Sequence, residues 1–162
     1  MTKFFLAAML TLVVLSQTLA QGDASAEARA AELVKHDGRT VVHLWAPWCG
    51  NCLAELKSGG WGRMVKENPD VRFVFVSIWN EGEDGAAMLK KYEIADQPNV
   101  TIIADAGPRR GENKLKRFLD LPVTWIPTTW VFKGGEMRYA MNYGELRFEV
   151  LQQFLADSDA KW

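Results

Sequence analysis

The sequence predicts an α/β domain in which a central mixed β-sheet is flanked by helices on both faces. Short apolar runs rich in β-branched and aromatic residues alternate with helical patterns over most of the chain. Two adjacent strand patterns near the end are joined by Gly134-Gly135, which predicts a hairpin. The 162 residues, 48% of them hydrophobic, are enough for one domain with a sizeable core.

The first half of the chain alternates between helix and strand. Residues 24–35 are rich in strong helix formers, and Gly38 follows as a stop signal. Residues 40–45 are a short, nearly continuous apolar run, as expected for a strand buried on both faces of a sheet. Residues 71–79 are the strongest strand pattern in the chain, and residues 86–94 predict the next helix.

A second helix is expected to begin near Cys49, directly after the first predicted strand. Three glycines, at positions 59, 60 and 62, follow within a few turns. Because glycine disfavours the helix interior, we expect a break in this helix.

The second half of the chain completes the sheet. Residues 99–104 predict a third strand and residues 114–119 a short helix, which together form an extra strand-helix insertion. Residues 129–133 and 137–142 are the two strands of the predicted hairpin. Residues 145–156 carry apolar side chains at helical spacing, which predicts a closing amphipathic helix.

The first twenty residues have the pattern of a secretory signal peptide. Lys3 precedes an apolar run over residues 4–15, and small residues end at Ala20, where we expect cleavage. A retained membrane anchor is the alternative, but the run is shorter than the roughly 20 residues that span a bilayer. Residues 21–39 are then an N-terminal helical extension and residues 158–162 a C-terminal tail. The mature protein is expected to be periplasmic or secreted, where thiols meet oxidising conditions.

The charge pattern argues against a nucleic-acid partner. The chain has 19 Lys and Arg residues against 20 Asp and Glu residues, a formal net charge of −1. The basic surface typical of nucleic-acid-binding domains is not expected from this balance.

The two cysteines of the chain, Cys49 and Cys52, form a Cys-x-x-Cys motif where a buried strand meets a helix. The unpaired N–H groups at a helix start favour a thiolate at the first cysteine. The second, one turn further, can resolve a mixed disulfide by internal attack. The motif therefore predicts redox chemistry.

Three other uses of the pair stay open. A structural disulfide would close a very short loop and so stabilise the chain only weakly, by roughly 2 kcal/mol. A zinc site would need further ligands, and the chain offers only His36 and His43, neither at zinc-finger spacing. A Cu(I) site could combine the thiolates with Met137 and Met141, because soft ligands select this ion.

A second motif, Ile126-Pro127-Thr128, precedes a late strand, where proline marks a strand start, a bulge or a cis peptide bond. Trp-Ala-x-Trp-Cys-x-x-Cys after a buried strand, together with Ile-Pro-Thr and a Gly-Gly hairpin, resembles the thioredoxin superfamily over roughly residues 40–157. The 99–119 insertion, the Cys-x-x-Glu pattern and Pro-Thr-Thr look more like its exported TlpA/ResA/DsbE-like branch.

The resemblance implies a thioredoxin-like fold over residues 40–157 and roles for three residues. Cys49 would be the exposed nucleophile, Cys52 the resolving thiol, and Pro127 a cis proline that docks the backbone of a client protein. The implied activity is thiol–disulfide exchange with protein substrates, with the dithiol as the only redox group and no added cofactor. We expect a monomeric reductase recharged by a membrane electron donor. A disulfide oxidase or isomerase, a Cu(I)-binding module and a non-catalytic interaction module are the alternatives.

Two further residues are candidates for the active site. Glu55 lies three residues after Cys52 and nearly on the same helix face, so it is either a solvated surface carboxylate or a group that tunes the thiols. His43 lies on the strand before the motif, where thioredoxins carry a buried Asp. It is either a satisfied core residue or a group that exchanges a proton with Cys52 near neutral pH.

Overall fold

A computed structural model describes residues 25–142 and 144–160. The predicted signal peptide lies outside these residues. The helices are α1 (Ala26–Val34), α2 (Gly50–Lys57), α3 (Gly60–Glu67), α4 (Ala86–Lys91) and α5 (Phe148–Asp157). The strands are β1 (Arg39–Trp45), β2 (Arg72–Ser77), β3 (Val100–Ala104), β4 (Arg117–Phe118), β5 (Leu121–Pro122), β6 (Thr128–Lys133) and β7 (Glu136–Met141).

Five strands form one mixed sheet in the order β3-β2-β1-β6-β7. The pairs β1/β2 and β2/β3 are parallel, whereas β1/β6 and β6/β7 are antiparallel. β1 is central and six of its seven residues are buried, which is why its sequence is a continuous apolar run. The predicted mixed sheet and the Gly134-Gly135 hairpin are confirmed.

Helices cover both faces of this sheet. The Thr40 hydroxyl donates a hydrogen bond to the carbonyl of Leu33, which places α1 on one face. His43 points to the opposite face, because side chains alternate along a strand, and its ring centroid lies 4.5 Å from that of Trp61 on α3. The predicted two-sided cover is confirmed, and the second face carries the candidate site.

The glycine cluster separates α2 from α3, as predicted. Gly59 adopts a φ of 72°, a conformation that L side chains rarely take, and the helix resumes at Gly60. A Cβ at Gly60 would lie 2.0 Å from the ring of Phe148, so this position has no room for a side chain. The turn directs Trp61 back toward α2.

The predicted helix over residues 114–119 is wrong. The expected strand-helix insertion therefore lacks its helix. The chain forms the β4/β5 hairpin instead, with Arg117 opposite Pro122 and Phe118 opposite Leu121. The two turn residues, Leu119 and Asp120, have φ values of 50° and 59°, as in the turns that match the twist of a hairpin. Of the apolar side chains in 114–119, Phe118 alone is fully buried, so the segment has no helical face to pack.

Two other helix boundaries differ from expectation. α4 ends at Lys91 rather than near residue 94, and α5 begins at Phe148 rather than near residue 145. None of the helices formed by residues 25–142 and 144–160 has the length and apolar character needed to cross a bilayer.

Candidate active site

The two cysteines lie at the start of α2, directly after β1. The N–H of Cys49 donates to the carbonyl of Ala46, which closes the turn that leads from the strand into the helix. Cys49 is the N-cap residue, and its sulfur accepts a hydrogen bond from the N–H of Cys52 at 3.3 Å. Both side chains are free thiols. Both are buried, so the expectation of an exposed Cys49 is not met, but Cys49 is 7% exposed against 1% for Cys52 and is the more accessible of the two.

The Ile126-Pro127 segment approaches the thiols through Ile126. The Ile126–Pro127 peptide bond is cis. The Cys49 sulfur lies 3.6 Å from the carbonyl oxygen of Ile126, to which it donates a hydrogen bond when it is protonated. The loop before β6 and the start of α2 therefore meet at Cys49.

The two thiols have opposite acidities. The pKa of Cys49 is lowered to about 6, first because the Cys52 thiol donates a hydrogen bond to it. The backbone N–H groups of Cys52 and Asn51 act in the same direction, and burial opposes them. The hydrogen bond with Cys49 raises the pKa of Cys52 well above its usual range, as do burial and the negative charges of Cys49 and Glu55. At neutral pH Cys49 is a thiolate and Cys52 a thiol.

Glu55 is buried, so the view of it as a solvated surface carboxylate is wrong. It is 2% exposed. Its Oε2 accepts a hydrogen bond from the indole N–H of Trp61 at 3.0 Å, and its Oε1 accepts one from the N–H of Leu146 at 2.6 Å. Burial raises the pKa of Glu55 to about 7, although both hydrogen bonds act to lower it. This carboxyl group therefore titrates near neutral pH.

His43 contacts the same carboxyl group. Its Nε2 lies 3.5 Å from Oε2 of Glu55, and its Nδ1 lies 2.9 Å from the hydroxyl of Thr129. Burial lowers the pKa of His43 to about 3, so the imidazole is neutral at physiological pH. The contact thus joins a neutral ring to a titrating carboxyl group, and it is not a fixed ion pair.

The structure arranges the five predicted site residues around two centres. Cys49 and Cys52 form the thiol centre, which contacts Ile126, the residue before Pro127. His43 and Glu55 form a buried acid–base pair, and Pro127 lines the same cavity as Glu55. The pair is coupled to the thiols through charge, because the pKa of Glu55 rises with a thiolate at Cys49 and that of Cys52 with a carboxylate at Glu55. Within the described part of the chain, the polar partners of the His43 ring are Thr129 and Glu55.

Three partners of the buried pair were not predicted: Trp61, Thr129 and Leu146. Thr129 is the cross-strand neighbour of His43, so knowing the register of β1 against β6 would have identified it. Trp61 follows the glycine break that turns it toward Glu55. The contact of Leu146 is made by its backbone N–H, which leaves no signature in side-chain chemistry.

A cavity of about 200 Å³ opens beside the buried pair. Its lining includes Glu55, Pro127, Thr129 and Met141. It offers room for water or a small group next to the carboxyl group of Glu55.

No group of three or more His, Cys, Asp or Glu side chains among residues 25–142 and 144–160 is arranged to hold a metal ion. The Cu(I) alternative drew on Met137 and Met141. Both lie on β7, but four residues apart, which is roughly 13 Å along a strand. Met137 is also 42% exposed at the hairpin end. Met141 lines the cavity beside Glu55, whereas Met137 does not.

The family model of the thioredoxin-like domain matches residues 26–158. The chain belongs to the thioredoxin-like family. A thioredoxin of Porphyra purpurea is 30% identical over 105 residues, which are 65% of this chain and 66% of that protein. The superfamily resemblance carried by the Cys-x-x-Cys and Ile-Pro-Thr motifs is confirmed.

Solved structures of thioredoxin-like proteins agree with this fold. A secreted Mycobacterium tuberculosis disulfide oxidoreductase homologous to E. coli DsbE superposes with a TM-score of 0.55 at 22% identity, covering 76% of this chain and 84% of that one. A DsbF homologue from Corynebacterium diphtheriae superposes with a TM-score of 0.56 at 18% identity, covering 76% of this chain and 73% of that one.

The acidity of Cys49 should depend on the side chain at position 52. Cys52→Ala removes the thiol that donates to Cys49, so the pKa of Cys49 should rise and its alkylation at pH 6 should slow roughly fivefold or more. Cys52→Ser is the matched control, because its hydroxyl keeps a donor in place and should preserve most of the rate. Alkylation rates followed from pH 4 to 9 measure both variants. Equal pKa values in the alanine variant and the native protein would contradict the assigned cause.

The buried carboxyl group should make stability depend on pH. Folding raises the pKa of Glu55 from about 4.3 in an unfolded chain to about 7. The unfolded chain thus loses this proton first, so the carboxyl group's favourable contribution is complete below about pH 4 and is lost as the pH rises to 7. Glu55→Gln does not titrate, so its free energy of unfolding relative to the native protein should rise by about 2–3 kcal/mol across that window.

Urea unfolding of the reduced protein at a series of pH values measures this difference. Glu67→Gln, which removes an exposed carboxylate from α3, is the control and should follow the native profile. A Glu55→Gln profile parallel to that of the native protein would show that Glu55 does not titrate in this window.

Proposed function

We propose that this protein is an exported thiol–disulfide oxidoreductase that reduces disulfides in other proteins. The observation that carries the proposal is the contrast between the two thiols of the Cys-x-x-Cys motif. Cys49 is the more accessible of the two buried residues and has a lowered pKa, and Cys52, one turn away, is almost completely buried and has a raised pKa. Two-step disulfide exchange requires this difference, because one thiol attacks the client disulfide and the other then resolves the mixed disulfide.

In the first step the Cys49 thiolate attacks one sulfur of the client disulfide. A new S–S bond joins Cys49 to the client, and the other client sulfur leaves as a thiolate. In the second step Cys52 loses its proton and attacks the Cys49 sulfur. The client's second thiolate leaves, so the client has gained two electrons and the Cys49–Cys52 pair has lost them.

Pro127 and Ile126 form the proposed docking edge for the client. The carbonyl oxygen of Ile126 lies 3.6 Å from the Cys49 sulfur, so a client strand lying along this edge would bring its disulfide to the nucleophile. Pairing through the backbone suits an enzyme that acts on proteins, because it places few demands on the client's side chains.

Glu55 is proposed to take the proton of Cys52 in the second step. Its pKa of about 7 makes it a carboxylate in a large fraction of molecules at neutral pH, where a general base is most effective. His43 is proposed to act through Glu55 as a positioning residue, with its ring held by Thr129.

The reducing direction is supported by the moderate acidity of Cys49. Its pKa of about 6 is closer to the value of about 7 for reducing thioredoxin than to about 3.5 for the strong oxidant DsbA. A less stabilised thiolate leaves the reduced form a better electron donor. The oxidised pair would then be recharged by the dithiol of a membrane electron donor, with no further cofactor.

Export is proposed from the signal-peptide pattern, with cleavage near Ala20 and release of a monomer to the periplasm or the medium. The Mycobacterium tuberculosis oxidoreductase of similar fold is itself described as secreted. The mass of the protein recovered outside the cytoplasm tests this cleavage site.

Trapping and potentiometry test the activity and its direction. Reduced Cys52→Ser protein should accumulate a mixed disulfide with a protein substrate through Cys49, whereas Cys49→Ser should form none. The Cys49–Cys52 couple of the native protein should have a potential below roughly −200 mV, in the range of reducing family members. A potential near −120 mV would assign the protein to the oxidases. Absence of a trapped species would refute the proposed exchange.

Removing the ring of His43 should slow the second step alone. His43→Asn keeps a polar group near Thr129 but loses the contact with Glu55, so resolution by Cys52 should slow about tenfold or more, with an altered pH profile. The rate of first attack by Cys49 should change little.

A double-mutant cycle with Glu55→Gln separates this role from simple packing. If His43 acts through Glu55, the double variant should resolve no more slowly than Glu55→Gln alone. Independent, additive effects on the resolution rate would indicate that His43 only fills the core.

A further inference from the structure

A groove of about 420 Å³ lies beside Cys49. Three tryptophans, Trp48, Trp79 and Trp125, contribute to its walls. Trp48 is 36% exposed and Trp125 is 47% exposed, an unusual display of large rings on a surface. Because Cys49 lines the same groove, a client segment bound in it would contact these side chains.

Two cations are held against the rings of this groove. The guanidinium carbon of Arg109 lies 3.8 Å from the ring centroid of Trp48, and the ammonium of Lys114 lies 3.5 Å from that of Trp79. The rings are fixed in turn, because the Trp48 indole N–H donates to the carbonyl of Trp79 and the Trp79 indole N–H to that of Leu115. The cations are thus positioned before any client arrives.

The positive charge at this groove is not neutralised by the protein. No carboxylate of the described residues lines the groove or pairs with Arg109 or Lys114. Segment 109–117 carries five Lys and Arg residues and one carboxylate, Glu112, in a chain whose net charge is −1. Two of these basic residues, Arg109 and Lys114, line the groove that also contains Cys49.

We propose that this groove selects clients whose disulfide is flanked by Asp or Glu residues. The inference rests on the proposed function, since it names the kind of protein segment that Cys49 attacks. The planar fork of Arg109 can bind a carboxylate through two parallel hydrogen bonds, and Lys114 adds a mobile point charge. The exposed indole faces pack against the apolar parts of the same segment.

Three peptides that share one disulfide-containing sequence test the selection. They differ in the two residues that flank the reactive cysteine: two Glu, two Gln or two Lys. The reduced native protein should reduce them in the order Glu, Gln, Lys, with a Glu-to-Lys ratio of about tenfold in kcat/KM at low salt. The ratio should collapse in 1 M salt, where charges are screened within about 3 Å. Equal rates for the three peptides at low salt would overturn the inference.

Charge reversal identifies the residues responsible. The double variant Arg109→Glu/Lys114→Glu should invert the order, so that the Lys peptide becomes the best substrate. The matched control is Arg29→Glu/Arg63→Glu, which makes the same change in net charge at exposed positions on α1 and α3. The control should keep the native order. A uniform loss of rate on all peptides in the first variant, or an inversion in the control, would contradict a selective groove.

Binding separates this inference from the proposed function. The Cys49→Ser/Cys52→Ser protein cannot exchange disulfides, so its affinity for the same three peptides in reduced form reports on the groove alone. Tighter binding of the Glu peptide than of the Lys peptide supports the selection, and equal affinities refute it. If the native protein reduces none of the peptides, the proposed function fails, and the order of these affinities still decides what the groove prefers.

Discussion

The buried carboxyl group of Glu55 is the interaction on which the rest of the site depends. It lies on α2 and is bonded by Trp61 on α3 and by the backbone of Leu146, which precedes α5, and it touches His43 on β1. Removing a carboxylate from water without partners is strongly unfavourable. The surrounding elements must therefore supply donors at fixed positions. The break at Gly59 turns Trp61 toward α2, and the close approach of Gly60 to Phe148 brings α3 against α5.

This arrangement links the packing of the core to the chemistry of the thiols. Two donors satisfy the carboxylate form of Glu55, but burial still raises its pKa to about 7. A charge that can appear and disappear near neutral pH is thus placed where it acts on Cys52. The neutral His43 ring fits both states, because Nε2 can donate to a carboxylate or accept from a protonated carboxyl group, with Thr129 taking the complementary role at Nδ1.

Most of the fold and the thiol centre could be predicted from the sequence, because each has a strong local signature. Continuous apolar runs mark the buried strands, and glycines mark the helix break and the β6/β7 hairpin. Cys-x-x-Cys and Ile-Pro-Thr mark the reactive thiols and the cis proline. The β4/β5 hairpin could not be predicted, because its turn uses Leu119 and Asp120 rather than the usual Asn-Gly pair.

The environment of Glu55 could not be predicted for a different reason. A single carboxylate on a short amphipathic helix looks the same in sequence whether it faces water or the core. Its burial depends on the register of β1 against β6, on the direction of α3 and on a backbone donor before α5. The positions of Arg109 and Lys114 over two tryptophans also depend on tertiary structure, because Arg109 lies 61 residues from Trp48 in the chain and Lys114 lies 35 residues from Trp79.

The two cysteines divide the site into an inner and an outer half, and each half meets a different requirement. On the inner side the charge of the buried Glu55, which titrates beside a neutral His43, acts on Cys52, and the low polarity of this region strengthens that effect. On the outer side Cys49 opens onto fixed cations and indole rings, where water screens charge and recognition depends on direct contact. Proton transfer needs an enclosed environment, whereas client recognition needs an exposed one. Separating them by one helical turn lets the client vary on the outer side without disturbing the acid–base pair on the inner side.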